Sequence, residues 1–194
     1  MATPTFKNMS DEEYPIDNFV VQGASDAKTV IQVLDTDGQV SGTYYWYNAF
    51  GEYPAGWFDF SGLTPAGITL KSGEGVFFYT SESGVSILSA GEVLGDVTRE
   101  ISGYAMIGNC RPTNLPVDDL SIQGATDAKT VMQVLDEEGQ VSGTYYWYNA
   151  FGEYPAGWFD FAGLVSAGIN LNPGDAVFFY TSENGVTATI PGAL

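Results

Sequence analysis

Carboxylates stand beside aromatic clusters at Glu52, Asp59 and Glu74, and again at Glu153, Asp160 and Asp175. Paired carboxylates can hydrolyse glycosides, one as acid and the other as base or nucleophile, and the mechanism fixes how far apart they stand. Here the third acid is a glutamate in one copy and a shorter aspartate in the other. These groups are therefore read as turn and surface acids, and no enzymatic role is expected. The chain has no histidine, which removes Ser-His and Cys-His nucleophile systems and the usual zinc and iron ligand sets. It contains neither a P-loop nor a Gly-rich dinucleotide motif. Asp35-Thr36-Asp37-Gly38 opens like a calcium loop, but neither it nor its counterpart Asp136-Glu137-Glu138-Gly139 is followed by the bidentate acid that completes one. A hairpin turn is expected there, with no metal and no other cofactor. Asp26-Ala27-Lys28 and Asp127-Ala128-Lys129 read as local turns carrying a solvated charge pair.

Recognition falls instead to aromatic side chains. The stretch from Gly38 to Phe60, GQVSGTYYWYNAFGEYPAGWFDF, returns letter for letter from Gly139 to Phe161, and the two copies hold 18 of the chain's 28 aromatic residues. Trp46, Trp57, Phe58, Phe77 and Phe78 are expected to fill the cores, where each fully buried large apolar side chain contributes about 1.5–3 kcal/mol. The remaining tyrosines, Tyr45, Tyr47 and Tyr53 with Glu52, and Tyr146, Tyr148 and Tyr154 with Glu153, form the candidate interface or ligand platform. An assembly interface suits them, because a flat apolar ring with a polar tip is favoured in such contacts. A sugar platform is the alternative, although the loop holds few of the Asn, Gln and Arg side chains that fix sugar hydroxyls.

Six Lys and Arg against 24 Asp and Glu leave a formal charge of −18 at pH 7, in a chain that is 44% hydrophobic and 14% aromatic. That composition describes a folding, globular protein. Nucleic acid and anionic lipid would be repelled, so the expected partners are proteins of a larger assembly or further copies of the chain, or else a glycan. No run of 18 apolar residues occurs and the opening MATPTFKNMSDEEY has no export pattern, so membrane insertion is not expected. Cys110, the single cysteine, cannot form an intrachain disulfide and reads as a small buried apolar group.

These residues need a scaffold, and the sequence describes it twice. Matching at the spacing of the identical stretch pairs Pro15-Ile16-Asp17 with Pro116-Val117-Asp118, and Gly84-Val85-Ser86 with Gly185-Val186-Thr187. The expected units are residues 1–93 and 103–194, with 94–102 as a linker whose alternation could form a strand. Within a unit, Thr29 to Leu34 and Gln39 to Tyr47 form a hairpin with Trp46 on one face and Tyr45 and Tyr47 on the other. Asn48 to Gly56 is a loop, and short strands follow near Trp57, Ile68, Gly75 and Val85. Only single helical turns are expected, near Pro15 to Phe19 and Pro116 to Leu120. The opening strand of the first unit, at Pro4 to Lys7, has weak β character.

The order GYAMIGNCRPTNLPVDDL, TVMQVLDEEG, YYWYNAFGEYPAGWFDF and INLNPGDAVFFYTSENG resembles a β-rich repeat module of bacterial surface and secreted proteins, over about 90 residues of each unit. The resemblance implies a β fold and a non-enzymatic role, and supplies no site. The expected architecture is all-β: two tandem, pseudo-symmetric small antiparallel β-sandwich or partly open β-barrel domains. The expected function is structural, as a bacteriophage virion or bacterial surface component. A carbohydrate-binding module with one aromatic site per repeat is the alternative.

Overall fold

The computed structural model describes residues 5–7, 14–60, 64–71, 73–88, 95–109, 111–136, 140–162 and 165–192. Cys110 and the turn residues Glu137, Glu138 and Gly139 lie outside them. The first repeat contains β1 (Thr5–Lys7), β2 (Tyr14–Pro15), β3 (Val20–Gln22), β4 (Thr29–Leu34), β5 (Val40–Tyr47), β6 (Gly56–Phe58), β7 (Thr69–Leu70), β8 (Gly75–Thr80) and β9 (Ser86–Leu88). The second contains β10 (Val97–Gly108), β11 (Leu115–Pro116), β12 (Ser121–Gln123), β13 (Thr130–Leu135), β14 (Val141–Tyr148), β15 (Gly157–Phe159), β16 (Asn170–Leu171) and β17 (Ala176–Ile190). Single 3-10 turns at Ile16–Asn18 and Val117–Asp119 occupy the places where the sequence predicts helical turns.

The fold is all-β and sandwich-like, and among the described residues no sheet closes into a barrel. The main sheets run β1-β8-β4-β5-β6 and β10-β17-β13-β14-β15, the same order twice. Register repeats too: Val30 faces Tyr45 and Tyr79 as Val131 faces Tyr146 and Tyr180. Identical side chains require the same burial, and a one-residue slip would turn every one of them over. The opening strand β1 covers three residues and pairs with β8 as the end of β10 pairs with β17.

A second layer closes each core. In the first repeat it is the pair β3-β9. In the second, β17 runs on without interruption, so that its last residues pair with β12 and with the first half of β10. Within the 94–102 stretch, expected as a linker that could form a strand, residues 97–102 form the start of β10, and Ile101 is buried in the second core. A bulge between Ile101 and Gly103, with Gly103 at φ +65°, bends β10 between the layers.

Trp46, Trp57 and Phe78 fill the first core, and Trp147, Trp158 and Phe179 the second. Two expected core residues lie elsewhere. Phe58 is buried, but on the outer face of its sheet beneath Tyr47 and Tyr53, because it follows Trp57 in a strand whose side chains alternate. Phe77 alternates with Phe78 in the same way and meets Phe178 of the other repeat at a ring separation of 6.3 Å.

That ring contact belongs to the joint between the repeats. Gly108 N–H donates to Gly73 O at 3.2 Å, Tyr104 N–H donates to Thr36 O at 2.7 Å, and Arg99 lies 3.8 Å from Glu74. Gly38, Gly75 and Gly103 allow this approach, since a Cβ on each would fall within 3 Å of Tyr104, Met106 or Thr36. The repeats therefore pack directly on one another.

Candidate functional site

The outer face of β5 and β6 carries the candidate tyrosines because Trp46 and Trp57 face inward. Tyr45 meets Phe60 edge-on with ring centres 5.3 Å apart, and Tyr47 stands edge-on to Phe58 at 6.0 Å. The loop between the strands folds over them as a hairpin of its own. Phe50 N–H bonds Tyr53 O at 3.1 Å and Tyr53 N–H bonds Phe50 O at 3.0 Å. Gly51, at φ +57°, supplies the first central residue that a tight turn of this hand requires. The hairpin stacks the Phe50 and Tyr53 rings at 5.3 Å with 27° between their planes, and sets Tyr53 edge-on to Phe58. Glu52 sits exposed at the tip, as does Glu153.

Polar groups anchor this loop from below. Asp26 Oδ1 accepts the Asn48 amide N–H at 2.8 Å and its side-chain Nδ2 at 2.9 Å, while Nδ2 also donates to Ala24 O at 3.2 Å. Asp127, Asn149 and Ala125 repeat the arrangement. The turn that presents Asp26 is strained, with Ala27 and Ala128 both at φ +58°. It is tied in turn by Glu82, which accepts Ser25 N–H at 2.8 Å, and by Glu183, which accepts Thr126 N–H at 2.9 Å and the Thr126 hydroxyl. Bonds from the Ser25 side chain and amide hold the Glu82 carboxyl below its ordinary value of 4.5, and Thr126 does the same for Glu183. Asp26 therefore works as a structural acceptor for Asn48, in addition to the turn role expected of it.

Comparison of the chain with family models, with curated proteins and with solved structures returns no match. The site is therefore read from its own residues.

The two copies of the face differ although their sequences are identical. Phe50 is 40% exposed against the hairpin, whereas Phe151 is 80% exposed. Beside the outward Phe151, the second repeat holds a pocket of about 250 Å³. Tyr148, Phe151, Tyr154 and Phe159 line it, with Asp127 and Asn149 among its polar residues. Phe60 and Phe161 are each 75% exposed and extend both faces.

The structure thus brings Tyr45, Tyr47 and Tyr53 together, and Tyr146, Tyr148 and Tyr154 likewise. Within the chain these faces are half-covered by their own repeat, while the joint between repeats falls on β1, β8, β10 and β17. Four of the six carboxylates considered for glycoside chemistry serve turns, and Glu52 and Glu153 stand exposed at the loop tips. Glu74 accepts Lys71 N–H at 2.8 Å, Asp175 accepts Asn172 N–H at 2.8 Å, and Asp59 and Asp160 accept Thr64 and Val165 N–H at 3.4 and 3.3 Å. Asp35 Oδ1 accepts the N–H groups of Asp37 and Gln39, both at 2.9 Å, as a hairpin turn does. Among the described residues no group of three or more acids, cysteines or histidines gathers to hold a metal ion. Sequence reasoning missed Phe60 and Phe161, each 75% exposed beside the tyrosines, and the Asp26 anchor.

Proposed function

We propose that this protein is a non-enzymatic assembly component of a virion or a bacterial surface, built from a duplicated β domain that docks protein partners through the outer aromatic face of each repeat. One observation carries the reading: Phe60 and Phe161 are each 75% exposed, beside Tyr45 and Tyr146. Contiguous exposed aromatic surface is uncommon on monomeric proteins and marks interaction sites. Duplication gives two faces of the same sequence in fixed stoichiometry. The charge of −18 keeps the rest of the surface from associating.

The carbohydrate alternative draws less support. A sugar platform needs polar groups free to bond hydroxyls, and here, apart from Glu52 and Glu153 at the loop tips, those nearest the rings are spent within the fold. The Tyr47 and Tyr148 hydroxyls donate to Phe60 O and Phe161 O, both at 3.2 Å, and the Asn48 and Asn149 side chains hold the loop anchors.

The test is a chain carrying Phe60→Asp and Phe161→Asp together. Exposed positions cost about 0.5 kcal/mol or less in stability, so both repeats stay folded. Incorporation of the variant into the particle or envelope of its source is expected to fall about tenfold or more, as losing a central aromatic contact does. Wild-type incorporation would refute the docking role.

A further inference from the structure

We propose that the pocket in the second repeat receives a quaternary ammonium group, with Phe151 as its movable wall. The proposal deepens the reading of the aromatic face as a docking surface and rests on it. Tyr148, Phe151, Tyr154 and Phe159 line the pocket, and Asp127 brings a carboxylate to it. Aromatic faces attract cations through the ring quadrupole, and a cage of several rings holds methylated ammonium groups; here Tyr148 and Phe159 form its covered side, while Tyr154 and Phe151, 53% and 80% exposed, form its open side. The carboxylate and the acidic surface add charge complementarity.

Hydrogen-bonding capacity and size separate this occupant from a sugar. The Tyr148 hydroxyl donates to Phe161 O at 3.2 Å. Asn149 gives its backbone N–H to Asp127 Oδ1 at 2.8 Å, and its Nδ2 to Asp127 Oδ1 at 2.9 Å and Ala125 O at 3.1 Å. Asp127 Oδ2 takes no part in those bonds, so the pocket offers negative charge and ring faces with few donors. Its volume of about 250 Å³ lies just below the usual range for small-molecule sites, of about 300–1,000 Å³, and suits a head group rather than an oligosaccharide.

In the first repeat the matching phenylalanine is folded inward. Phe50 stacks on Tyr53 at 5.3 Å and lies 6.4 Å from both Tyr47 and Phe58. Below it, Tyr47 meets Phe58 at 6.0 Å and 88°, and in the open copy Tyr148 meets Phe159 at 6.1 Å and 81°. The Tyr–Phe floor is thus constant, and the phenylalanine differs most, from 40% to 80% exposed, with a smaller change at the tyrosine, from 41% at Tyr53 to 53% at Tyr154. Because the four rings and the carboxylate are the same residue types in both copies, with only Ala162 replacing Ser61 at the rim, the outward and inward positions of the phenylalanine are close in energy, and a ligand selects the outward one. The chain therefore has two such sites, with the second repeat filling first.

The experiment titrates the full chain with choline and with 3,3-dimethylbutan-1-ol, which has the same shape without the charge, at constant ionic strength. The N-methyl proton resonance of choline is expected to move upfield and saturate, while the neutral alcohol binds about tenfold more weakly. Phe151→Ala, at an exposed position, is expected to weaken choline binding several-fold without lowering the melting temperature. A trimethyl-lysine peptide on the same assay shows whether a protein or a small cation is the better carrier of the group. Equal binding of alcohol and choline, no saturable shift, or saturation by a monosaccharide in place of choline would each overturn the proposal. None of these outcomes touches incorporation of the Phe60→Asp, Phe161→Asp chain, so the failure of the pocket and the failure of the docking face are told apart.

Discussion

Replacing Trp158 with alanine is expected to cost the second repeat about 3–5 kcal/mol, the range found for removing a large buried aromatic side chain. Trp158 is fully buried and stands edge-on to Trp147 at 5.5 Å and to Phe179 at 5.2 Å. Its backbone also ties the core to the loops around it. Its N–H donates to Asp118 at 3.4 Å and its carbonyl accepts Ala167 N–H at 2.8 Å. A domain of this size is stable by about 5–15 kcal/mol, so the loss removes much of the total. Trp57→Ala should act alike in the first repeat, where the ring meets Trp46 and Phe78. Phenylalanine at either position should cost well under half as much. It keeps an aromatic ring in place and removes an indole Nε1 that is buried without an acceptor, a burden of about 1–3 kcal/mol. Urea denaturation of the four variants measures these differences, and a Trp158→Phe loss equal to that of Trp158→Ala would contradict the packing described.

Gly103→Ala is expected to separate the two repeats. Gly103 is at φ +65°, where an L side chain is strained, and a Cβ there would lie 2.1 Å from the carbonyl oxygen of Thr36. The obstacle is backbone, so no rotamer change relieves it. The nearest escape is to move the first repeat's hairpin away, which breaks the 2.7 Å bond from Tyr104 N–H to Thr36 O and draws Gly38 off the Tyr104 ring. Small-angle scattering should show a larger radius of gyration than for a control substitution at the exposed neighbour, Ser102→Ala. A scattering profile identical to that of the unaltered chain would contradict this account of the joint.

The parts of the fold legible in the sequence are those governed by local repetition and alternation. The return of Gly38–Phe60 at Gly139–Phe161 implies matching strand order, and alternation along β5 places Trp46 inward with Tyr45 and Tyr47 outward. The less legible parts depend on contacts between distant segments. Phe58 and Phe77 are apolar neighbours of core residues, and what covers them is the folded-over loop in one case and Phe178 of the other repeat in the second. The Asp26 anchor needs Ala27 in the left-handed region, which nothing in alanine's propensity announces. The difference between Phe50 and Phe151 is beyond any local rule, since their sequence surroundings are identical over 23 positions.

The central claim is that the outward aromatic face of each repeat is covered when the protein is in its working assembly. Hydroxyl-radical footprinting tests this most directly, because phenylalanine and tyrosine rings are oxidised in proportion to their exposure. The chain would be labelled once in purified form and once within the particle or envelope from which it came. The account predicts that Phe60, Phe161, Tyr53 and Tyr154 oxidise several-fold more slowly in the assembly, while Tyr79 and Tyr180, exposed away from the loop, change less. Equal oxidation of Phe60 and Phe161 in both settings would contradict it.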